Sequence, residues 1–251
     1  MKKSLIAAIA ISLLATSCIS IAINKNLIRG EGDPTTALRT YEGEVSGLGI
    51  SSCADVILDS SIEPGTAQIT TSPNIMEYVE IRVENNILYI GLCDDYSYHV
   101  KTLEIRVSPV NLSLFAISGG ASLKSSEAIT SQDTTTFAVS GGADVNVCGA
   151  FNHLSIAASG GADINLSGRC NTLDAALSGG VDADLYELQA VVATVSASGG
   201  SDVKVNASQE YHIQASGGAD VIYCATGATL DLSSSGGADI TALKRLMQWV
   251  Q

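Results

Sequence analysis

Six aspartates recur at one place in a repeated string. Asp144, Asp163, Asp182, Asp202, Asp220 and Asp239 each follow Ser-Gly-Gly and one small residue. Regularly spaced carboxylates can gather oxygens around a hard cation such as Ca²⁺. They can also act as acid and base in sugar cleavage. A third reading involves no chemistry: each accepts hydrogen bonds from turn N–H groups, as Asx residues do, and faces solvent. If the repeats stack, the carboxylates form a ladder about 5 Å apart. Like charges at that distance repel by about 1 kcal/mol per neighbour in water, so something must offset the cost.

Gly-Gly-x-Asp-x-(Val/Leu) faintly echoes the calcium-binding nonapeptide, without its nine-residue period or second glycine. Calcium and the hydrogen-bonded turn both remain open here. Catalysis finds less support. An acid–base pair needs two carboxyls in unlike environments, and the repeat gives every Asp the same one. A lyase acting on anionic sugar needs a nearby cation, and Lys204 is the only basic residue two places after a ladder Asp. The serines before the glycine pairs (Ser118, Ser140, Ser159, Ser178, Ser198, Ser216, Ser235) read as corner caps, with a sugar-binding row as the alternative. His99, His153 and His212 are scattered and read as solvated surface. No nucleophile elbow accompanies them. Besides Cys18, the cysteines are Cys53, Cys93, Cys148, Cys170 and Cys224, an odd number with no C-x-x-C. Zinc is therefore not indicated; Cys148 with Cys170 is the one conceivable bridge.

Strands must position these residues. Leu154, Ile156 and Ala158 alternate with polar or small residues before Gly160, and Ala162, Ile164 and Leu166 alternate after it. Period two marks a strand with one buried face. The Ser-Gly-Gly string occurs seven times, 18 to 22 residues apart, with a weaker copy at Ser51-Ser52-Cys53-Ala54-Asp55. A strand–corner–strand unit of that length cannot bury its apolar face alone, but stacked copies can. The fold class expected is all-β: a parallel β-helix (β-solenoid) of about 19–20 residues per coil, about 11 coils and roughly 50 Å long. Small inward residues beside the corners (Ala143, Ala158, Ala162, Ala197, Ala215, Ala219, Ala238) fit a narrow cross-section. Asn85-Asn86 predicts a hairpin turn. The tail from Ala242 to Val250 predicts a short amphipathic helix that covers the last strand edge.

Residues 1–17 read as an export leader: Lys2 and Lys3, an apolar run from Leu5 to Ala15, then small residues before Cys18. Such a leader is secretory, and Cys18 directly after it resembles a lipidation site. Leu14 lies four places before Cys18, where the usual pattern has Leu three before. Plain secretion and an uncleaved anchor over Leu5–Ile23 are the alternatives. The division expected is 1–17 leader, 18–35 tether, 36–117 irregular N-terminal coils, 118–241 regular solenoid and 242–251 C-terminal cap. A net charge of −13 argues against nucleic acid as a partner, since little is present to neutralise phosphates.

The leader, the strand region holding Ala54-Asp55-Val56 and the serial S-G-G-A-D motif together resemble the bacterial head GIN family, also called putative auto-transporter adhesin, over roughly residues 38–243. The resemblance implies a right-handed β-helix and carries no catalytic or ligand residues. The function expected is a non-catalytic cell-envelope lipoprotein of adhesin-like type. It would be held to the outer membrane through its N-terminal lipid and would bind a glycan or a protein. A structural envelope protein without ligand, or a carbohydrate-active β-helix enzyme, is the alternative.

Overall fold

Where apolar residues alternate, strands form. The computed structural model describes residues 26–225 and 227–243. Its first half runs through β1 (Leu27–Arg29), β2 (Thr35–Thr40), β3 (Gly47–Ile50), β4 (Asp55–Leu58), β5 (Thr66–Thr71), β6 (Val79–Glu84), β7 (Ile87–Leu92), β8 (Ser97–His99), β9 (Leu103–Val107), β10 (Leu114–Ile117) and β11 (Ser122–Ser125). Longer strands follow: β12 (Ile129–Val139), β13 (Asp144–Gly160), β14 (Asp163–Gly179), β15 (Asp182–Gly199) and β16 (Asp202–Ala215). The shorter β17 (Asp220–Cys224), β18 (Thr229–Ser234) and β19 (Asp239–Leu243) end the described chain.

β13 and β14 pair in parallel from Asp144↔Asp163 to Gly160↔Gly179. The pairing offset equals the sequence repeat, so each repeat is one coil. A strand leaves the glycine corner along an Asp face, rounds a third face near Gly149–Asn152, and returns to the next corner. Its inward side chains are buried, among them Val145, Val147, Phe151, Leu154 and Ile156. All seven small corner residues named above are buried as well. The three phenylalanines, the only ones in the chain, sit in consecutive coils. Phe115 stacks on Phe137 at 4.7 Å, and Phe137 meets Phe151 edge-on at 6.5 Å.

The corner needs its first glycine. Gly160 has φ +87°, and a Cβ there would lie 2.9 Å from the Gly141 carbonyl oxygen. Gly161 is different: a Cβ would meet nothing within 4 Å. One glycine of each pair therefore answers to stacking and left-handed backbone, while the other does not.

The stack holds about seven turns, or about 34 Å at the strand spacing, not the eleven that length divided by period predicts. Much of 36–117 forms antiparallel strands instead. β5 pairs antiparallel with both β2 and β9, and β6 with β7. The β6–β7 turn is Asn85-Asn86, with φ of 51° and 63°, as expected. The chain order is also broken. β3 and β4 form a coil whose corner is the weak repeat at Ser51–Cys53. β10 and β11 stack on one side of it, β7 and β9 on the other. The segment read as a tether contains β1, which pairs with β8.

The two ends differ. β5 and β6 cover the β7/β9 end. At the far end β18 and β19 are last, and Leu230, Leu232 and Leu243 are 47%, 37% and 44% exposed. The counterparts of Leu230 and Leu232 one coil earlier, Tyr211 and Ile213, are fully buried. Ala242 and Leu243 belong to β19, so no helix begins at 242; the rest of the expected cap lies outside the described residues. So do the leader and Cys18. Among the described residues no helix is long and apolar enough to cross a membrane.

Candidate functional site

Parallel register brings the six aspartates into one column. Asp144, Asp163, Asp182, Asp202, Asp220 and Asp239 are partners from coil to coil, and all six are exposed. The column runs further than the motif suggests. Ser122 pairs with Asp144 on one side and Asp55 on the other, and Asp55 pairs with Glu104. Ser122, the one non-acidic step, donates its hydroxyl to the Asp55 carboxylate.

Turn N–H groups do not hold these carboxylates, because the neighbouring coil takes them. Gly161 N–H donates to Gly141 O at 2.9 Å and Asp163 N–H to Ala143 O at 3.0 Å. The repulsion survives at Asp144. Partial burial, then the charge and hydrogen bond of Asp163, push its carboxyl above the usual carboxylate range, against the pull of Lys124. One step outward in the next column, Asp184 meets Lys204 at 2.9 Å. Burial alone would raise Asp184, but hydrogen bonds from Lys204 and the Tyr186 N–H hold it low. Among the described residues no group of three or more His, Cys, Asp or Glu is arranged to hold a metal ion.

The corner serines divide. Ser118 is buried and its hydroxyl reaches Ile50 O, while Ser198 reaches Leu177 O in the same way. Ser159, Ser178 and Ser235 stand exposed. His153 and His212, scattered in sequence, share the return face. His153 Nε2 lies 3.2 Å from Asp174, and His212 lies 3.0 Å from Glu210 and 3.3 Å from Asp231. Cys53, Cys93, Cys148, Cys170 and Cys224 are all free thiols, so the Cys148–Cys170 bridge does not form. Burial pushes the Cys170 thiol up to about 12, which leaves it unreactive.

A trough on the third face escapes sequence reading. It is flanked by two columns of outward side chains, with Phe151, Cys170 and Ala190 along its floor. One column is Thr130, Ala150, Arg169, Gln189 and Asn206. The other contains Gln132, Asn152 and Asn171, then Val191 and Ser208. The signal was one amide per coil. It is hidden because register shifts at Ser131/Thr134, Asn165/Gly168 and Leu185/Gln189 break the fixed period on this face.

Such a stack defines a parallel β-solenoid whose polar groups are laid out in rows along its axis. The chain belongs to the family described as "Putative auto-transporter adhesin, head GIN domain", matched over residues 46–227. Solved structures share the fold. A "putative adhesin" from Bacteroides fragilis is similar with a TM-score of 0.76 at 17% identity, covering 86% of this chain and all of that one. A "putative lipid binding protein" from Parabacteroides distasonis gives 0.70 at 18%, covering 87% and 100%. A "putative adhesin" from Parabacteroides merdae gives 0.62 at 13%, with the same coverage. No curated protein matches.

Proposed function

We propose that this chain is an exported, lipid-anchored cell-envelope protein that works by adhesive binding rather than catalysis, meeting a glycan or a protein on its repeated faces. The observation that carries this reading is the aspartate column. From Asp144 to Asp239 each coil offers a carboxylate in register with the next, which suits many weak contacts at once. The nearest thing to an acid–base pair is Asp144, held high, with Asp184, held low. They stand two coils and two residues apart, roughly 12 Å by strand geometry, beyond the gap of about 5–9.5 Å that glycosidases use. The family description and the adhesin-like neighbours agree with a surface location.

The anchor rests on Lys2, Lys3, the apolar run and Cys18. Fatty-acid labelling of the full chain in a bacterial envelope tests it. Label should enter the wild type and be absent from Cys18→Ala, which should leave the membrane fraction. A Cys18→Ala chain that stays in the membrane fraction would mean that Leu5–Ile23 is itself the anchor. A glycan array probed with the purified protein tests the ligand. Binding to a few related glycans is expected; silence together with capture of an envelope protein would move the reading to a protein ligand.

A further inference from the structure

We infer that the trough on the third face binds an acidic oligosaccharide lying along the solenoid axis; this deepens, and rests on, the glycan-binding reading above. Its length follows from the coils. Five consecutive coils contribute, so it runs about 20 Å at the strand spacing. It therefore presents a fresh set of groups at intervals close to the size of a sugar ring.

The chemistry of the walls selects the ligand. Gln132, Asn152, Asn171, Gln189 and Asn206 each offer a planar amide. An amide both donates and accepts, which matches neighbouring hydroxyls on a sugar. Several are already fixed. Asn152 Nδ2 donates to Gln132 O at 3.0 Å, Asn171 Nδ2 to Asn152 Oδ1 at 2.8 Å, and Asn206 Nδ2 to Tyr186 O at 3.1 Å. Each keeps its second N–H for a ligand, and little side-chain freedom remains to be lost on binding.

Charge then narrows the class. The chain has 26 acidic residues against 13 basic ones, yet among the described residues no carboxylate lines the trough, and its one charged lining residue is Arg169. Arg169 is exposed and makes no ion pair among the described residues. A guanidinium there can take a carboxylate through two parallel hydrogen bonds. One cation suits a ligand with sparse carboxylates, such as a uronic-acid oligosaccharide. A densely charged polymer would meet the negative protein around it. An extended peptide is disfavoured because the backbone groups of the trough are already paired between coils, leaving no free edge to extend.

The test uses the purified full chain in detergent and a panel of neutral and uronic-acid oligosaccharides, read by titration calorimetry. Arg169→Gln, the double variant Asn152→Ala/Asn171→Ala, and Gln214→Ala on the return face are compared with wild type. Circular dichroism confirms that each folds. Expected is preferential binding of the acidic members. Arg169→Gln should lose roughly tenfold in affinity, the worth of one charge-assisted hydrogen bond, together with the acidic preference. The double variant should weaken acidic and neutral members alike, and Gln214→Ala should match wild type. Glycan binding that is untouched by the trough variants would overturn this site and leave the broader reading standing. Absence of binding to any member of the panel would overturn this site and the glycan reading it rests on.

Discussion

Gly160 and Gly161 are indistinguishable as letters in a motif, and the stack separates them. A methyl at Gly160 would press on the backbone of the coil below and demand a left-handed conformation of an L-residue, at about 1–2 kcal/mol for the backbone alone. The contact is with a carbonyl that the ladder holds in place, so relief requires moving a coil. Gly160→Ala should therefore cost upwards of 2 kcal/mol, while Gly161→Ala should stay within about 0.5 kcal/mol. Urea unfolding of both variants decides this, and equal losses would mean that the corner constrains both positions. The role of the pair was legible in the sequence; its asymmetry was not, because that depends on where the neighbouring carbonyl lies. The same holds for Cys148 and Cys170. Their spacing left a bridge open, but the strand places Cys148 outward and Cys170 inward.

Between elements, the parallel register turns a sequence motif into a column of charge. β13 and β14 put Asp144 beside Asp163, and the strain shows at Asp144. Its carboxyl is raised in the folded state, so it titrates at higher pH there than in the unfolded chain. The stability it contributes is full below its ordinary value of 3.8 and is lost as pH rises through the higher folded value. Asp144→Asn removes that loss. The variant should melt above wild type at neutral pH, by no more than about 0.5 kcal/mol for so exposed a group, and the two should converge below pH 3.8. A variant that melts lower at neutral pH would show that the charge stabilises the column. Alternation made the regular strands readable, and Asn85-Asn86 made one hairpin readable. The antiparallel strands at the base were not readable as such. A run like Val79–Glu84 alternates in the same way whether its partner runs parallel or not. The trough stayed hidden for a related reason: bulged registers shift its amides out of step with the glycine period.

At the scale of the molecule, the ends are unlike. One is closed by β5 and β6; at the other, Leu230, Leu232 and Leu243 stand exposed beside a strand edge with no partner among the described residues. An edge of that kind invites pairing with another chain. The sequence reading expects residues 242–251 to cover it; Ala242 and Leu243 are strand, and the rest lies outside the described residues. A chain ending at Leu243 should self-associate with rising concentration in sedimentation velocity, and Leu230→Ser/Leu232→Ser in that chain should suppress it. A shortened chain that stays monomeric would show that the exposed edge needs no cover. Length divided by period overestimated the stack because it assumed that every residue after about 40 belongs to a coil.

The crossed order of the N-terminal coils also sets a direction in time. β3 and β4 come early in the chain, yet β7 and β9, which pair with one of their edges, are contributed by residues as late as Val107. Closing that loop, and the longer one that lays β10 and β11 on the other edge of β3 and β4, costs entropy before the regular coils can add. Once both are closed, each coil after β11 needs only about 19–20 residues to lie down on the one before it. The slow step of folding then belongs to the first hundred residues, and the rest should follow as growth from one end. A chain that emerges N-terminus first, as from the ribosome, would complete its own template before its repeats arrive.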